Sequence, residues 1–291
     1  MPLVRRRFRG ESDLVEMQRL VAERTEAFGV GTNLHPGDVA HRIYSGLRRH
    51  DLDEAVPVWE GDSGIEAFGI IWPEHRAFDV VTRHGLDGDA SAVIVCQIIG
   101  LTERNGRVET DVIGADEALL DLVRDLGFEK VPGGYVVTGR TLTVPTDIPE
   151  TPFMLRSAAM VDVVQLAAVH SGAFGSDWTP ESYLRRMQMP GYIASDEIVA
   201  VAEDGTFAGF TNTWYDDLNN VGYFEPVGVH GAFHRRGIGS ALLREGMRRM
   251  CAAGMTTATV WHAVGDEAAA TFYQSNGFEP LNSVSRWQRL R

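Results

Sequence analysis

The sequence predicts an α+β protein made of two tandem domains, each a mixed β-sheet flanked by helices. Three observations lead to this fold class. A sequence block recurs at an offset of 150 residues, a proline-rich stretch lies near the middle of the chain, and the second half alternates between strand and helix patterns. Since the chain has 291 residues, each half has the usual size of one domain.

The repeat consists of two pairs of matching segments in the same order. Residues Asp116–Glu129 align without a gap with Asp266–Glu279, and six of the fourteen positions are identical. Nearer the start of each half, Arg9–Phe28 resembles Arg156–Phe174, and both have the apolar spacing of a short helix. Chance similarity between amphipathic helices is the alternative, but two matched blocks at nearly one offset favour duplication.

The predicted boundary between the domains is the segment Thr141–Pro152, which contains three prolines. Prolines disfavour helix and indicate an extended linker, so we expect one domain at 1–145 and another at 153–291. For the second domain the patterns predict helices at Met160–Ala173, Trp178–Met187, Ile238–Ala252 and Asp266–Asn276, and strands at Glu197–Glu203, Thr206–Tyr215, Gly222–Val229, Thr257–His262 and Ser283–Leu290.

Composition and charge exclude several classes of function. The net charge is −13, with −10 in residues 1–150 and −3 in residues 151–291, which argues against a nucleic-acid surface. No apolar run approaches the roughly 20 residues of a membrane span, and the N-terminus lacks the pattern of a secretory signal. Cys96 and Cys251 form neither a disulfide framework nor a metal-ligand spacing. We therefore expect a cytoplasmic, metal-free protein, either monomer or homodimer, without a nucleic-acid or membrane partner.

The segment Val227–Ser240 has the pattern of a phosphate-binding turn. Its first residues end an apolar strand, and Gly237 and Gly239 then open a helix beside Arg235 and Arg236. The first N–H groups of a helix are unpaired and carry partial positive charge, and glycines let a phosphate approach them. A plain strand-to-helix connection is the alternative for this segment alone. It does not fit the dinucleotide fingerprint, because the third glycine and the later acidic residue are not evident.

Two motifs in order resemble the GNAT superfamily of acyl-CoA N-acyltransferases. The first is His234–Gly239, where the family has Gln/Arg-x-x-Gly-x-Gly/Ala. The second is Phe272–Phe278, where the family has (Phe/Leu)-Tyr-x-x-x-Gly-Phe, and a predicted strand lies between them. The resemblance covers Met154 to Leu290. It departs from the family at His234, where Gln or Arg is usual, and at Asp266, where Asn is common.

The resemblance implies that acetyl-coenzyme A is the co-substrate. It places the pyrophosphate on the backbone amides of residues 235–240 and the pantetheine along Val227–Val229, in a gap where two central strands separate. A backbone N–H of that strand would polarise the acyl carbonyl. The cofactor-binding residues expected from it are Val227, Gly228, Val229, His234, Arg235, Arg236, Gly237, Ile238, Gly239, Ser240 and Asp266.

Acylation of an amine needs a base for the ammonium proton and an acid for the departing thiolate. The resemblance makes Tyr273 the candidate acid; the alternative is that it packs in the core beside Phe272. Glu225 is the candidate base, since it precedes Pro226 on the strand that should approach the acyl group. The proline indicates a bend or a position outside the strand ladder, and burial would raise the pKa of the carboxyl. A solvent-facing glutamate, an ion-paired one, or a water chain in place of a single base remain open.

The acceptor side is less defined by the sequence. Trp214 and Tyr215 are candidates for lining an amine pocket, and a loop with a surface aromatic pair is the alternative. We expect an N-acetyltransferase that moves the acetyl group directly to a primary amine of a small molecule or peptide. A non-catalytic acyl-CoA sensor or scaffold is the alternative from another class.

The first repeat lacks the residues that would bind the cofactor. At the 150-residue offset Gly237 corresponds to Asp87, Gly239 to Asp89 and Tyr273 to Val123. Carboxylates at these positions would repel a pyrophosphate, so the first domain is expected to be a degenerate GNAT-like copy. Tandem acyltransferases such as mycothiol synthase are similar in having one active and one decayed copy, without a substrate-specific match to this chain.

Overall fold

The computed structural model describes residues 3–103, 105–143 and 150–290. They form two compact units. The first comprises the described residues of 1–139, 261–273 and 279–291, and the second those of 140–260 and 274–278. The last strand of the chain therefore belongs to the first unit.

The predicted linker Thr141–Pro152 lies partly outside the described residues, because residues 144–149 are not among them. The division into 1–145 and 153–291 follows the repeat along the sequence and stays a prediction. The compact units follow the spatial arrangement, and they assign residues 261–273 and 279–290 to the first unit.

Nine helices and twelve strands are found in the described ranges. In chain order they are β1 (Val4–Arg6), α1 (Glu11–Phe28), α2 (Pro36–Ala40), α3 (Leu52–Ala55), β2 (Val58–Gly61), β3 (Gly64–Trp72), β4 (Ala77–Thr82), α4 (Gly88–Thr102), β5 (Arg107–Ile113), α5 (Glu117–Asp125), β6 (Glu129–Thr141), β7 (Met154–Ser157), α6 (Val163–Phe174), α7 (Pro180–Met187), β8 (Glu197–Val201), β9 (Phe207–Asp216), β10 (Val221–Val229), α8 (Ile238–Ala252), β11 (Thr257–Ala263), α9 (Glu267–Ser275) and β12 (Glu279–Leu290). A short π-helical segment, His41–Gly46, follows α2.

The sheet of the first unit has the order β1-β2-β3-β4-β5-β12-β6. Its neighbouring strands are antiparallel except for β4 and β5. Trp287 of β12 packs in the same core as Trp59, Phe78 and the buried faces of α4 and α5. The C-terminal strand is thus an interior part of this unit, paired on both edges.

The sheet of the second unit has the order β11-β10-β9-β8-β7, and only β10 and β11 are parallel. Helices α6 and α7 cover one face, where Leu166 and Tyr183 pack with Phe210. Helix α8 covers the other face, where Ile238 and Leu242 pack against β8 and β9. This mixed sheet with helices on both faces matches the expectation from the sequence.

The repeat is visible in the element boundaries. Helices α4 and α8, strands β5 and β11, and helices α5 and α9 each begin and end at an offset of 150 residues. Both copies therefore have the same order of a central strand, a helix, a parallel strand, a helix and a final strand. The structure confirms the tandem plan predicted from two short blocks.

The predicted elements of the second half agree closely with the structure. Helix α8 has the predicted bounds. The helix predicted from Met160 begins with a 3₁₀ turn, Met160–Asp162, before α6 starts at Val163. The last strand begins at Glu279 instead of Ser283, because its ladder with β6 already starts there.

Among the described residues, no helix is long and apolar enough to cross a membrane. The same residues contain no group of three or more histidine, cysteine or acidic side chains that could hold a metal ion. Cys96 and Cys251 are free thiols.

Candidate functional site

Strand β10 has an edge that is only partly paired within the second unit. It is paired with β9 from Val221 to Val229, but its parallel register with β11 covers only Val221, Gly222 and Tyr223. From Phe224 onward, no strand of the described part of this unit pairs with the second edge of β10. This is the strand separation that the resemblance to the GNAT superfamily implied.

The backbone of Val227 and Val229 is directed to this open edge. His230 N–H donates to Ala208 O of the neighbouring chain segment at 2.9 Å. Because successive peptide groups of a strand point to opposite edges, Gly228 also faces β9, and Val227 and Val229 face away from it. His234 supports this orientation, since its Nε2 lies 3.0 Å from Val229 O. The open edge thus offers backbone donors and acceptors for an extended, amide-bearing ligand.

A β-bulge places Glu225 beside this edge. Phe224 pairs with Thr213 and Val227 with Thr211, so that Glu225 and Pro226 together lie opposite Asn212 alone. The prediction that the proline marks a position outside the regular ladder is confirmed.

Two side chains hold the half-buried Glu225 within the bulge. Trp214 Nε1–H donates to its carbonyl oxygen at 2.8 Å. The Tyr223 hydroxyl donates to its carboxylate Oε2 at 3.3 Å. Trp214 is itself buried, with 6% of its surface exposed. The structure therefore places the buried Trp214 ring against the backbone of the candidate base.

The turn after β10 leads into α8 through two residues with positive φ. These are Arg235 (φ 60°) and Gly237 (φ 77°), and Gly237 is the N-cap, without a side-chain cap. The first intrahelical hydrogen bond runs from Ala241 N–H to Gly237 O at 3.0 Å. Within the described part of the chain, the six N–H groups of residues 235–240 donate no hydrogen bond to a protein acceptor. These six amides at the positive end of a helix form a cradle; five belong to exposed or half-exposed residues and one to the buried Ile238. That the cradle binds an anion stays a prediction.

Aromatic contacts hold the turn in place. The guanidinium of Arg236 lies 5.4 Å from the ring centroid of Phe233, and Phe233 packs edge-on against Phe153 at 5.8 Å. His230 Nδ1 accepts a hydrogen bond from Ala232 N–H at 3.1 Å. His230 and His234 thus stabilise the turn by contacts with its backbone, and the cofactor-binding role expected of His234 stays a prediction.

Residue 228 must be a glycine for a steric reason that the sequence did not reveal. A Cβ at this position would lie 2.7 Å from Phe210 Cε1 and 3.0 Å from Phe174 Cε2. Only glycine therefore lets α6 approach β10 next to the open edge. Phe174 is 49% exposed at this point and forms an apolar wall beside the strand. The apolar pattern of α6 did not distinguish this exposed phenylalanine from a core residue.

Tyr273 lies on α9 and is 8% exposed. Its ring stacks on His262, with centroids 6.2 Å apart and an interplanar angle of 26°, and it also contacts Phe272. This part of α9 belongs to the first compact unit, whereas β10 and the cradle belong to the second. The Tyr273 ring is well packed, which agrees both with a catalytic acid and with a core residue.

Asp266 is the N-cap of α9. Its Oδ1 accepts a hydrogen bond from Ala269 N–H at 2.9 Å. In the first copy Asp116 does the same for α5, where Leu119 N–H donates at 3.1 Å. Aspartate and asparagine are both good N-caps, which explains the departure from the family's usual asparagine.

Trp214 and Tyr215 are neighbours on β9 and do not share one face of the sheet, and their role in lining an amine pocket stays a prediction. Tyr215 is on the opposite face of β9 from Trp214, and its hydroxyl lies 3.2 Å from Thr213 Oγ1. Burial raises the pKa of the Tyr215 hydroxyl. The Asp216 carboxylate accepts hydrogen bonds from the backbone of Leu218 and Asn219 and stabilises the turn before β10.

The start of α4 in the first unit differs from that of α8. The Asp87 carboxylate accepts a hydrogen bond from Ala90 N–H at 3.2 Å and is the N-cap. A protein carboxylate therefore already lies where α8 presents exposed amides. Val123, at the position of Tyr273, is fully buried.

Residues 195–280 match the family model of the acetyltransferase (GNAT) domain. The match includes β10, the cradle and the Phe272–Phe278 motif. Within the C-terminal half, residues 195–280 are therefore similar to a GNAT acetyltransferase domain. Comparison with curated proteins gives no match.

Solved structures extend the likeness to the whole chain. A tandem GNAT protein from the clavulanic acid biosynthesis pathway has 13% identity over 99% of this chain and 98% of its own, with a TM-score of 0.68. A GCN5-related N-acetyltransferase from Sphaerobacter thermophilus has 19% identity over 99% and 96%, with a TM-score of 0.63. A GNAT-family acetyltransferase from Colwellia psychrerythraea has 11% identity over 98% and 99%, also with a TM-score of 0.63. At these identities the likeness establishes the fold, and it confirms the predicted tandem GNAT architecture.

Proposed function

We propose that the C-terminal half transfers an acetyl group from acetyl-coenzyme A directly to a primary amine of a small molecule or peptide. One observation carries this proposal: the open edge of β10 leads directly into six unpaired amides at the start of α8. An extended pantetheine and a pyrophosphate need these two features in this order. The GNAT domain match to residues 195–280 supports the same chemistry.

The residues of the second unit fit coenzyme A by their chemistry. The amides of residues 235–240, with the charges of Arg235 and Arg236, suit the pyrophosphate. The outward backbone groups of Val227 and Val229 suit the pantetheine amides, and the glycine at 228 keeps the strand surface flat. Acetyl-coenzyme A supplies the activated thioester when bound. A Val227 or Val229 N–H then polarises the acyl carbonyl, which stabilises the developing oxyanion.

The proton transfers are assigned to two residues in this proposal. Glu225 accepts the proton of the ammonium group, so that the neutral amine attacks the carbonyl carbon. The C–N bond forms, the C–S bond breaks, and Tyr273 donates its proton to the thiolate. The amine nitrogen loses its second proton to solvent as the amide forms, and Tyr273 regains a proton from solvent. Its role rests on its position in the Phe-Tyr-x-x-x-Gly-Phe motif.

Thiol release from acetyl-CoA tests the proposal. The purified chain is incubated with acetyl-CoA and, separately, tyramine, spermidine, glucosamine or triglycine, and the products are identified by mass spectrometry. We expect amine-dependent thiol release together with an N-acetylated product. Tight coenzyme A binding by calorimetry without turnover on any amine would instead support an acyl-CoA sensor.

A further inference from the structure

Both copies of the fold contain a tryptophan whose indole N–H donates to an acidic residue where the parallel strands separate. In the first unit, Trp72 pairs with Ala77, and Trp72 Nε1 is 2.9 Å from Asp79 Oδ2. In the second, Trp214 pairs with Tyr223, and Trp214 Nε1 is 2.8 Å from Glu225 O.

The registers show that these positions are equivalent. Ala77 pairs with Glu109 of β5, and Tyr223 pairs with Thr259 of β11, which is Glu109 shifted by the repeat offset of 150. Two residues further along each strand lie Asp79 and Glu225. The positions of the tryptophan and of the acidic residue are therefore duplicated, but Trp72 donates to a carboxylate oxygen and Trp214 to a main-chain carbonyl.

The two copies differ at one side chain next to this pair. The first has Ala77 where the second has Tyr223, whose buried hydroxyl donates to Glu225 Oε2. In the first copy, the Asp79 carboxylate instead accepts a hydrogen bond from Arg42 Nη1 at 2.7 Å, and the two groups form an ion pair. The hydroxyl thus occurs in the copy that has the cradle, and an ion pair occurs in the copy without it.

We infer that Tyr223 and Trp214 are positioning residues for Glu225, an inference that rests on the proposed function. A glutamate in a bulge has no ladder to fix its backbone and several side-chain rotamers. Trp214 fixes the carbonyl of the bulge, and Tyr223 fixes the carboxylate. A carboxylate has about four lone-pair sites, so it retains the capacity to take the amine proton while it holds the hydroxyl.

A double-mutant cycle tests the inference with acetyl-CoA and the amine that gives the fastest thiol release. We expect Tyr223→Phe to lower kcat/KM for the amine roughly tenfold, since it removes a hydrogen bond to a charged group. The Kd of coenzyme A should not change. In a Glu225→Gln background Tyr223→Phe should add no further loss, because the residue acts through Glu225.

Matched controls separate positioning from general loss of structure. Tyr192→Phe removes the same kind of bond, because the Tyr192 hydroxyl donates to Glu197 Oε2 at 2.5 Å outside the site. Trp214→Phe should lower kcat/KM in the same Glu225-dependent way, whereas Trp72→Phe in the first copy should not. Thermal melts of all variants show whether each is folded at the assay temperature.

The outcomes distinguish this inference from the proposed function. Normal activity of Glu225→Gln, or no turnover in the parent chain, would overturn the proposed base and the positioning role with it. An impaired Glu225→Gln with a normal Tyr223→Phe would overturn the positioning role alone. If Tyr223→Phe lowers kcat/KM equally in the parent and in the Glu225→Gln background, the positioning role is likewise overturned.

Discussion

Asp266 and Glu225 are both carboxylates of the predicted site, but their hydrogen bonds give them different roles. The Asp266 oxygen accepts an N–H of its own helix and stabilises the start of α9. The Glu225 backbone is held by an indole in a bulge. The adjacent strand edge is not paired beyond Tyr223 by any strand in the described part of its unit. The structure therefore gives Asp266 a capping role, and both the cofactor contact expected of Asp266 and the base role of Glu225 stay predictions.

Replacement of Tyr273 by phenylalanine tests the proposed acid. The ring packing against His262 and Phe272 is kept, and only the hydroxyl is lost. General acid catalysis typically contributes at least about 100-fold, so we expect kcat to fall by about that factor. The Kd of coenzyme A, measured by calorimetry, should remain within about twofold of the parent value. Unchanged turnover would show that Tyr273 is a core residue only.

The sequence predicted the positions of the site residues better than their contacts. Glycines with positive φ, an apolar strand and two arginines are local signals, so the cradle was found from its own segment. The sequence makes Trp214 a candidate for lining an amine pocket, because it is one of an aromatic pair. Its burial and its bond to the Glu225 carbonyl depend on the register between β9 and β10, which no local pattern specifies.

At the scale of elements, the start of α8 depends on the backbone of Gly237. Its φ of 77° is in the left-handed region, where a side chain costs about 1 kcal/mol. We expect Gly237→Ala to lower stability by about that amount and to weaken coenzyme A binding roughly tenfold, because relief of the strain displaces the amides of the cradle. Calorimetry with coenzyme A and a thermal melt measure the two effects.

Gly254 offers a matched control at the other end of the same helix. It has a φ of 89°, and at both glycines a Cβ would meet nothing within 4 Å. Gly254→Ala should therefore lower the melting temperature to a similar extent and leave the Kd of coenzyme A unchanged. Equal weakening of binding in both variants would contradict a local role for Gly237.

The start of α6 depends on an ion pair that gives a pH-dependent stability. The Asp162 carboxylate accepts two hydrogen bonds from Arg156, at 2.6 and 2.8 Å, and one from Ala159 N–H. The hydrogen bonds of Arg156 lower the pKa of Asp162 below its ordinary value near 4. Since the folded pKa is the lower one, the stabilisation is present above about pH 4 and is lost as the pH falls through the folded pKa.

We expect Asp162→Asn to reduce the free energy of unfolding by about 1 kcal/mol at pH 7. The difference from the parent should shrink as the pH is lowered toward about 3, because the parent then loses its own carboxylate charge. Urea unfolding at both pH values measures it. A difference that is constant with pH would show that the ion pair contributes nothing.

At the scale of the whole molecule, the strand order departs from the order along the sequence. Strand β12 lies between β5 and β6 in the sheet of the first unit, and its Trp287 is in that unit's core. The sequence predicted a strand at this place, because its alternation is local. It did not predict the partners, since the pairing joins residues nearly 180 positions apart.

This strand order predicts that residues 1–145 alone do not form a stable domain. Without β12, strands β5 and β6 each lose a full ladder, and the core loses Trp287. The exposed strand edges would favour aggregation. We expect the fragment to lack a cooperative thermal transition, as followed by circular dichroism.

A fusion of residues 1–141 to 279–291 is the control, because it should restore much of the missing structure. In the antiparallel ladder of β6 and β12, Gly139 is directly opposite Glu279 at about 5 Å, and the end to be joined, Thr141, lies two residues beyond this pair, roughly 8 Å from Glu279. A linker of about four glycine-rich residues can therefore close the strands as a hairpin. The fusion should melt cooperatively, and Trp287→Ala within it should destabilise it by about 3 kcal/mol. A cooperative transition in the unfused fragment 1–145 would mean that the first repeat folds without β12.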